Sequence, residues 1–198
     1  MKTLTVQPTR IPGRWRQGYA LDVHTVKSTY LGEDEYGHAR FESQRSEIGE
    51  YLKRLKYDND LSVVPDLAET VASFVSWWQI EPNVIVPVPP SRQRDIQPVF
   101  LLAEEISRRL GIDVTFNAVK PCKELTELKN VYDFGERLRL LDGAYKIEKD
   151  IVNDKRILLF DDLYRSGATM NAVASLLLDQ GEASEIYALA LTRTRRNL

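Results

Sequence analysis

The sequence is short of the residues on which several kinds of protein depend. Cys122 is the single cysteine among 198 residues, which excludes an intrachain disulfide and a cysteine-based zinc site. No apolar run approaches the length that a membrane-spanning helix needs, and residues 1–15 lack the apolar centre of a signal peptide. A chain that depends on no disulfide suits a reducing compartment. These absences predict a cytoplasmic protein that does not bind a membrane.

The charge balance excludes a further group of functions. Lys and Arg total 27, Asp and Glu total 29, and the net charge is −2, so no overall field draws the chain to nucleic acid. The basic cluster of Arg193, Arg195 and Arg196 is a local exception with little weight against that balance. Apolar residues make up 43% and charged residues 28% of the chain, as is typical of a globular domain.

Apolar runs alternate with helical periodicity from residue 46 onward. Helices are predicted over 46–57, 65–79, 98–110 and 169–180, and strands over 84–88, 112–116, 157–160 and 186–191. Such alternation predicts an α/β fold, a parallel sheet with helices on both faces, which binds its ligands at the carboxyl ends of the strands. An extended arm and a β-hairpin come first, with strands over 19–30 and through Ala39 and Phe41. We therefore expect an N-terminal appendage, 1–45, before the domain of residues 46–198.

The segment from Arg156 to Met170 is the most informative part of the sequence. Residues 157–160 are apolar without alternation, which is typical of a strand buried on both faces. Asp161 and Asp162 follow directly, so we expect two carboxylates to leave the sheet together. Ionised carboxylates accept hydrogen bonds from sugar hydroxyls or help to hold a divalent cation.

The turn after the acids suits an anion. Gly167 tolerates a positive φ and lets a ligand approach the backbone, while Ser166 and Thr169 supply hydroxyl groups. The first N–H groups of the helix that follows lack partners within the helix and attract negative charge. Together, the acids and the turn predict a site for a phosphorylated sugar.

Other proteins also place acids after a buried strand. Walker B segments, phosphatases and receiver domains do so, and such an acid can serve only to cap a helix. The Walker interpretation fails because the chain contains no G-x-x-x-x-G-K-[ST] motif. The phosphorylated-sugar hypothesis is the one that uses the acids and the turn together.

This segment resembles the phosphoribosyl-diphosphate (PRPP) signature of type I phosphoribosyltransferases. That signature consists of four apolar residues, two acids and a Thr/Gly-rich loop. The family usually carries Thr-Thr-Gly-x-Thr in the loop, where this chain has Arg165-Ser166-Gly167-Ala168-Thr169. Ser166 replaces one threonine hydroxyl, and Arg165 is a departure that either adds a phosphate contact or reshapes the loop.

A second segment resembles the first strand and the diphosphate loop of the same fold. Residues 84–94 read Val-Ile-Val-Pro-Val-Pro-Pro-Ser-Arg-Gln-Arg, similar to the ComF/GntX-like branch, where a Val-Pro-Val-Pro-like strand precedes an arginine-containing loop. That branch usually continues with Arg-Gly-Phe-Asn-Gln, whereas Asp95 follows here and the glycine is missing. Arg92 and Arg94 are candidates to neutralise a diphosphate through forked hydrogen bonds.

Two shorter segments fit the same branch. Leu55-Lys56-Tyr57 resembles its Leu-Lys-Tyr segment, and residues 137–145 resemble its Arg-x-x-Asn-x-x-x-Ala-Phe stretch, with Leu140 in place of Asn. The resemblance covers about residues 46 to 195. The cysteines of the zinc module that often precedes this branch are absent.

The resemblance implies a role for each candidate residue. Arg165, Ser166, Gly167, Ala168 and Thr169 would hold the 5-phosphate of PRPP. Asp161 and Asp162 would hold the ribose hydroxyls as catalytic residues and contact Mg²⁺ weakly, mostly through the substrate. The diphosphate would lie against Pro90, Ser91, Arg92 and Arg94. In this fold the charge-rich run from Lys120 to Arg139 would form a lid, and Lys129, Arg137 or Arg139 would close on the diphosphate. Arg137 is assigned as catalytic, and Tyr164 is a candidate cover for the base.

The implied activity is transfer of phosphoribosyl from PRPP to a base or an amine, with release of diphosphate, in nucleotide metabolism. The sequence does not identify the acceptor, and a homodimer stays open. The alternative is a non-catalytic ComF-like protein, regulatory or a partner in DNA uptake, that keeps the phosphoribosyl pocket. The missing glycine after Arg94 and the altered loop at Arg165 favour that alternative, and the intact acid pair opposes it.

Overall fold

Strands of one central sheet position the candidate residues. The computed structural model describes residues 1–90, 97–122 and 134–195, without the side chains of residues 134 and 136–138. The strands are β1 Thr9–Arg10, β2 Gln17–Val23, β3 Thr25–Glu33, β4 Ala39–Arg45, β5 Val84–Pro87, β6 Asp113–Val114, β7 Val119–Pro121, β8 Tyr145–Ile147, β9 Arg156–Tyr164 and β10 Glu185–Arg193. The helices are α1 Glu47–Tyr57, α2 Val64–Trp78, α3 Pro98–Leu110, α4 Phe134–Leu141, α5 Lys149–Val152 and α6 Ala168–Asp179, with a 3₁₀ turn at Leu61–Val63.

The central sheet has the strand order β1-β2-β10-β9-β5-β6. Neighbouring strands from β2 to β6 in that order run parallel, and only the edge strand β1 is antiparallel. This confirms the predicted parallel sheet. Because β5 and β9 are direct neighbours, with Pro87 opposite Phe160, the two segments singled out in the sequence end at the same edge of the sheet.

Each face of the sheet carries its own hydrophobic core. Ile157 and Leu159 of β9 pack on the face covered by α6, while Leu158 and Phe160 pack with α1, α2 and α3 on the other. All four side chains are fully buried. The prediction of a strand buried on both faces is therefore confirmed, and its unbroken apolar run follows from the two covering layers.

Local signals located α1, α2, α3 and α6, whereas α4 and α5 were not predicted. Ser46 caps α1, because its side-chain oxygen accepts the N–H of Gly49 at 3.1 Å, and Leu52 and Leu55 bury the apolar stripe of that helix completely. Gly111 ends α3 in the left-handed region, at φ 65°, as a C-terminal glycine does. Within the described residues, no helix combines the length and the apolar character needed to cross a bilayer.

The N-terminal region differs from the expected appendage. The predicted strand over 19–30 is two strands: β2 joins the central sheet through parallel pairing with β10, and β3 forms a separate two-stranded hairpin with β4. The chain changes sheet at His24, whose N–H donates to the carbonyl of Arg193 at 2.8 Å. The hairpin itself is present as predicted, but residues 9–23 build the core sheet, which the boundary at residue 45 did not anticipate.

Candidate functional site

Strand β9 continues through the two acids. Asp161 lies opposite Ala190, and the pairing with β10 extends as far as Tyr164 opposite Arg193. The expectation that both carboxylates leave the sheet together was wrong, because β10 is long enough to keep pairing with β9 beyond the end of β5. Successive residues of a strand point to opposite faces, so the side chains of Asp161 and Asp162 lie on opposite faces of the sheet.

Asp161 lies at a small cavity on the α6 side. The cavity has a volume of about 50 Å³, several times the ~10–15 Å³ that one water requires. Its lining consists of one carboxylate, part of β9, the predicted phosphate loop and the start of α6: Asp161, Leu163, Tyr164, Arg165, Ser166, Gly167, Ala168, Thr169 and Met170. The structure therefore brings Asp161 and all five loop residues together around a space that accommodates a small anion.

The surroundings of Asp161 favour its protonated form. Burial raises the pKa of the Asp161 carboxyl to about 8, and the charge of Asp162 adds to the rise. The backbone N–H of Asp162, which donates to Asp161 Oδ1 at 2.8 Å, and the charge of Lys56 oppose it. A carboxyl group that titrates near neutral pH can exchange protons with a bound ligand.

Asp162 belongs to the opposite face. Its Oδ1 lies 2.8 Å from Lys56 Nζ, and these two side chains are only 15% and 17% exposed. Lys56 stands in the last turn of α1, so this ion pair ties the helix to the end of β9. The sequence did not predict this ion pair. The one signal for Lys56 was the Leu55-Lys56-Tyr57 segment, which was noted only as a family resemblance.

The start of α6 leaves backbone donors for an anion. Gly167 is the N-cap residue at φ 81°, and no side chain caps the helix. The first helical hydrogen bond runs from the N–H of Asn171 to the carbonyl of Gly167 at 2.9 Å, so the N–H groups of residues 168–170 precede it. Only a long contact of 3.4 Å joins the Ala168 N–H to the Ser166 hydroxyl. Helix termini of this kind bind phosphate and carboxylate groups.

Tyr164 supports this turn from inside the protein. Its side chain is 5% exposed, its hydroxyl donates to the carbonyl of Pro12 at 3.0 Å, and its ring packs edge-on to Trp15. A Cβ atom added to Gly167 would lie 2.3 Å from the Tyr164 hydroxyl, so the turn rests directly on the ring. Because Tyr164 also lines the cavity, its role as a cover for the base stays a prediction.

The diphosphate segment begins beside the acids. The N–H of Val88 donates to the carbonyl of Phe160 at 2.8 Å, which extends the β5–β9 pairing and leaves the half-buried Pro90 at the same edge. The predicted contacts at Ser91, Arg92 and Arg94 lie outside the described residues, as does Lys129. Arg137 lies within α4, but its side chain is outside the described part.

Two further candidate cations have described positions. Arg139 lines a groove of about 540 Å³ between α4 and α6, away from the cavity at Asp161. Arg165 is exposed, and its carbonyl accepts the hydroxyl of Thr194 at 3.3 Å. Of the two, Arg165 is the one that lines the phosphate-loop cavity.

Comparison with known sequences gives one informative match. No protein-family model matches the chain. It is similar to competence protein ComFC of Bacillus subtilis, with 26% identity over 148 residues that cover 73% of this chain and 59% of ComFC. The chain thus spans less than two thirds of the length of that relative.

Comparison with solved structures identifies the fold. Adenine phosphoribosyltransferase of Saccharomyces cerevisiae, 12% identical, matches with a TM-score of 0.51 over 84% of both chains. The allosteric regulatory enzyme of purine biosynthesis, 17% identical, matches with a TM-score of 0.50 over 80% of this chain and 34% of the other. The chain therefore has the type I phosphoribosyltransferase fold, and its similarity to ComFC agrees with the predicted ComF-like resemblance.

Proposed function

We propose that this protein binds PRPP, with the 5-phosphate in the loop 165–169 and the ribose beside Asp161. The observation that carries the proposal is the cavity itself, in which the first residues of α6, with their N-terminal N–H groups, and a carboxylate at the edge of the sheet line one space. The N–H groups suit the phosphate and the carboxylate suits a hydroxyl.

The matched fold supports this proposal. The yeast adenine phosphoribosyltransferase was solved in complex with adenine and an imino-altritol 1,6-bisphosphate. A bisphosphate and a base are the ligand classes that our proposal assigns to this chain. The carboxyl edge shared by β5 and β9 is also where an α/β sheet binds ligands.

The proposed reaction transfers the phosphoribosyl group to a base or an amine. The bond from carbon 1 to the diphosphate oxygen breaks with its electrons leaving on diphosphate, and the nucleophile forms the new bond to carbon 1 through an oxocarbenium-like state. Arg92, Arg94 and Arg137 are the proposed cations for the charge that grows on the leaving group. Asp161 would orient the ribose by accepting a hydrogen bond from a hydroxyl group.

The two aspartates do not form a magnesium site together. They face opposite sides of the sheet, and Asp162 already pairs with Lys56. Within the described residues no group of three or more His, Cys, Asp or Glu side chains could hold a metal ion. Mg²⁺ stays a prediction from the resemblance, and we assign no step to it.

Calorimetry with PRPP, in the presence and absence of Mg²⁺, tests the binding proposal. We expect the wild-type protein to bind, and Asp161→Asn to bind at least about tenfold more weakly above about pH 8, where the Asp161 carboxyl group is ionised, because a charged hydrogen bond is worth ~1.5–3 kcal/mol. Gly167→Ala should also weaken binding, since it combines a positive φ with a contact of 2.3 Å to Tyr164. Gly111→Ala is the matched control, because Gly111 has a positive φ and open space around it. Absence of binding at millimolar PRPP would refute the proposal.

The match to a competence protein supports a second candidate function. A ComFC-like chain could keep the phosphoribosyl pocket as a sensor or as part of a DNA-uptake assembly without catalysis. Diphosphate release, measured across a panel of bases and amines, separates the two functions. Release with one acceptor class supports the enzyme, whereas PRPP binding without release from any acceptor supports the non-catalytic protein.

A further inference from the structure

The ion pair between α1 and β9 has a definite place in the fold. Leu52 and Leu55 anchor α1 in the core on one face of the sheet, and Lys56 follows them in the last turn. The Lys56 side chain is 17% exposed, so most of its stem is buried along the helix and its ammonium group ends 2.8 Å from Asp162 Oδ1. The contact therefore holds the Asp162 carboxylate on the α1 side, away from the cavity.

The same contact reduces the negative charge beside the cavity. A cavity that binds a phosphate next to two ionised carboxylates would repel its own ligand. The half-buried position of Lys56 and Asp162 limits screening by water and salt, so the ammonium group compensates one of the two charges effectively. Other cations nearby have other partners: Arg45, for example, lies 3.5 Å from Glu50.

We propose that Lys56 is a positioning residue that holds Asp162 on the α1 face and neutralises it, which leaves Asp161 as the carboxylate that faces the ligand. This inference rests on the proposed function, because it concerns an anionic ligand in the cavity at residues 165–169. It assigns unequal roles to two neighbouring acids that the sequence presents as a pair.

The affinity for PRPP distinguishes this role from a purely structural one. Lys56→Met keeps the apolar stem but removes the charge, and we expect it to weaken PRPP binding on the order of tenfold, as one uncompensated charge near an anion does. Lys56→Arg should restore most of the affinity. Lys53→Met is the matched control, since Lys53 lies on the same helix and pairs with Glu50 and Asp58 instead.

The decisive variant combines Lys56→Met with Asp162→Asn. If Lys56 serves to neutralise Asp162, the double variant should regain affinity relative to Lys56→Met, because the uncompensated carboxylate is gone. If Asp162 instead contacts the ligand, or if Lys56 only stabilises the fold, the double variant binds as weakly as Lys56→Met or more weakly. That result would overturn the inference.

A ligand-free measurement separates this inference from the proposed function. Thermal unfolding of the wild type, both single variants and the double variant gives the coupling between Lys56 and Asp162. Wild-type protein that does not bind PRPP refutes the proposed function. In that case clear coupling still supports the pairing of Lys56 with Asp162, and additive effects refute the pairing as well.

Discussion

Asp161 provides the most direct test of the electrostatics of the site. Its pKa is raised from an ordinary 3.8 to about 8, chiefly by burial and then by the charge of Asp162. The folded state therefore binds a proton more tightly than the unfolded chain does. By linkage, the group costs no stability below the unfolded pKa, and it destabilises the protein progressively as the pH rises from about 4 to about 8. Replacing it with Asn should remove this pH-dependent cost.

The size of the effect follows from the shift. Each pKa unit corresponds to about 1.4 kcal/mol, so the full shift from 3.8 to about 8 would amount to about 6 kcal/mol. Asp161 is half-buried rather than sealed from water, so screening by solvent reduces this figure. We therefore expect the free energy of unfolding of Asp161→Asn, relative to the wild type, to be about 2–3 kcal/mol more favourable at the alkaline end of this pH range than at the acidic end.

Urea unfolding on either side of the window measures this difference. The wild type and Asp161→Asn should be compared near pH 4 and above about pH 8, the two limits set by the shift. Asp179→Asn is a suitable control, because hydrogen bonding to Arg14 lowers the pKa of Asp179. Its pH-dependent contribution is lost only below about pH 4, so the stability difference between Asp179→Asn and the wild type should stay nearly constant across this range. If the stability difference between Asp161→Asn and the wild type does not change with pH, the carboxyl group is not held in the environment described here.

Three further substitutions test the packing around the site, each by the free energy of unfolding in urea. Tyr164→Phe removes the hydrogen bond to Pro12 and should cost about 1 kcal/mol; no loss would mean that the hydroxyl does not hold the arm. Phe160→Ala empties a fully buried position and should cost about 3–5 kcal/mol, whereas a loss below about 1 kcal/mol would contradict the two-sided burial of β9. Ser46→Ala removes the cap of α1 and should cost about 0.5–2 kcal/mol, with Ser73→Ala, a half-buried serine inside α2 that caps no helix, as a control.

Much of the fold could be predicted because its signals are local. Ser46 and the stripe through Leu52 and Leu55 marked α1, and Gly111 marked the end of α3. A general rule about parallel sheets placed both candidate segments at the carboxyl edge, and the structure adds that β5 and β9 are direct neighbours there. The loop cavity could be expected too, since Gly167 and the helix start are adjacent in sequence.

The errors arose where a distant segment decides the structure. Strand β9 passes through Asp161 and Asp162 because β10 pairs with it as far as Arg193, and no feature of the acids themselves reveals that length. In the same way, β2 joins the sheet through β10, although its sequence reads like the first strand of a hairpin. Strand partners lie far apart along the chain, so periodicity identifies strands better than it identifies their neighbours.

The N-terminal arm shows how far the site depends on such distant contacts. The carbonyl of Pro12 accepts the Tyr164 hydroxyl beneath the phosphate loop, and the N–H of Arg14 donates to Asn171 Oδ1 at 2.9 Å. The Asn171 amide in turn donates to the carbonyl of Gly167 at 2.9 Å. The arm therefore holds the first turn of α6 from two directions. A segment that the predicted boundary at residue 45 left outside the core domain thus helps to fix the conformation of the predicted phosphate loop.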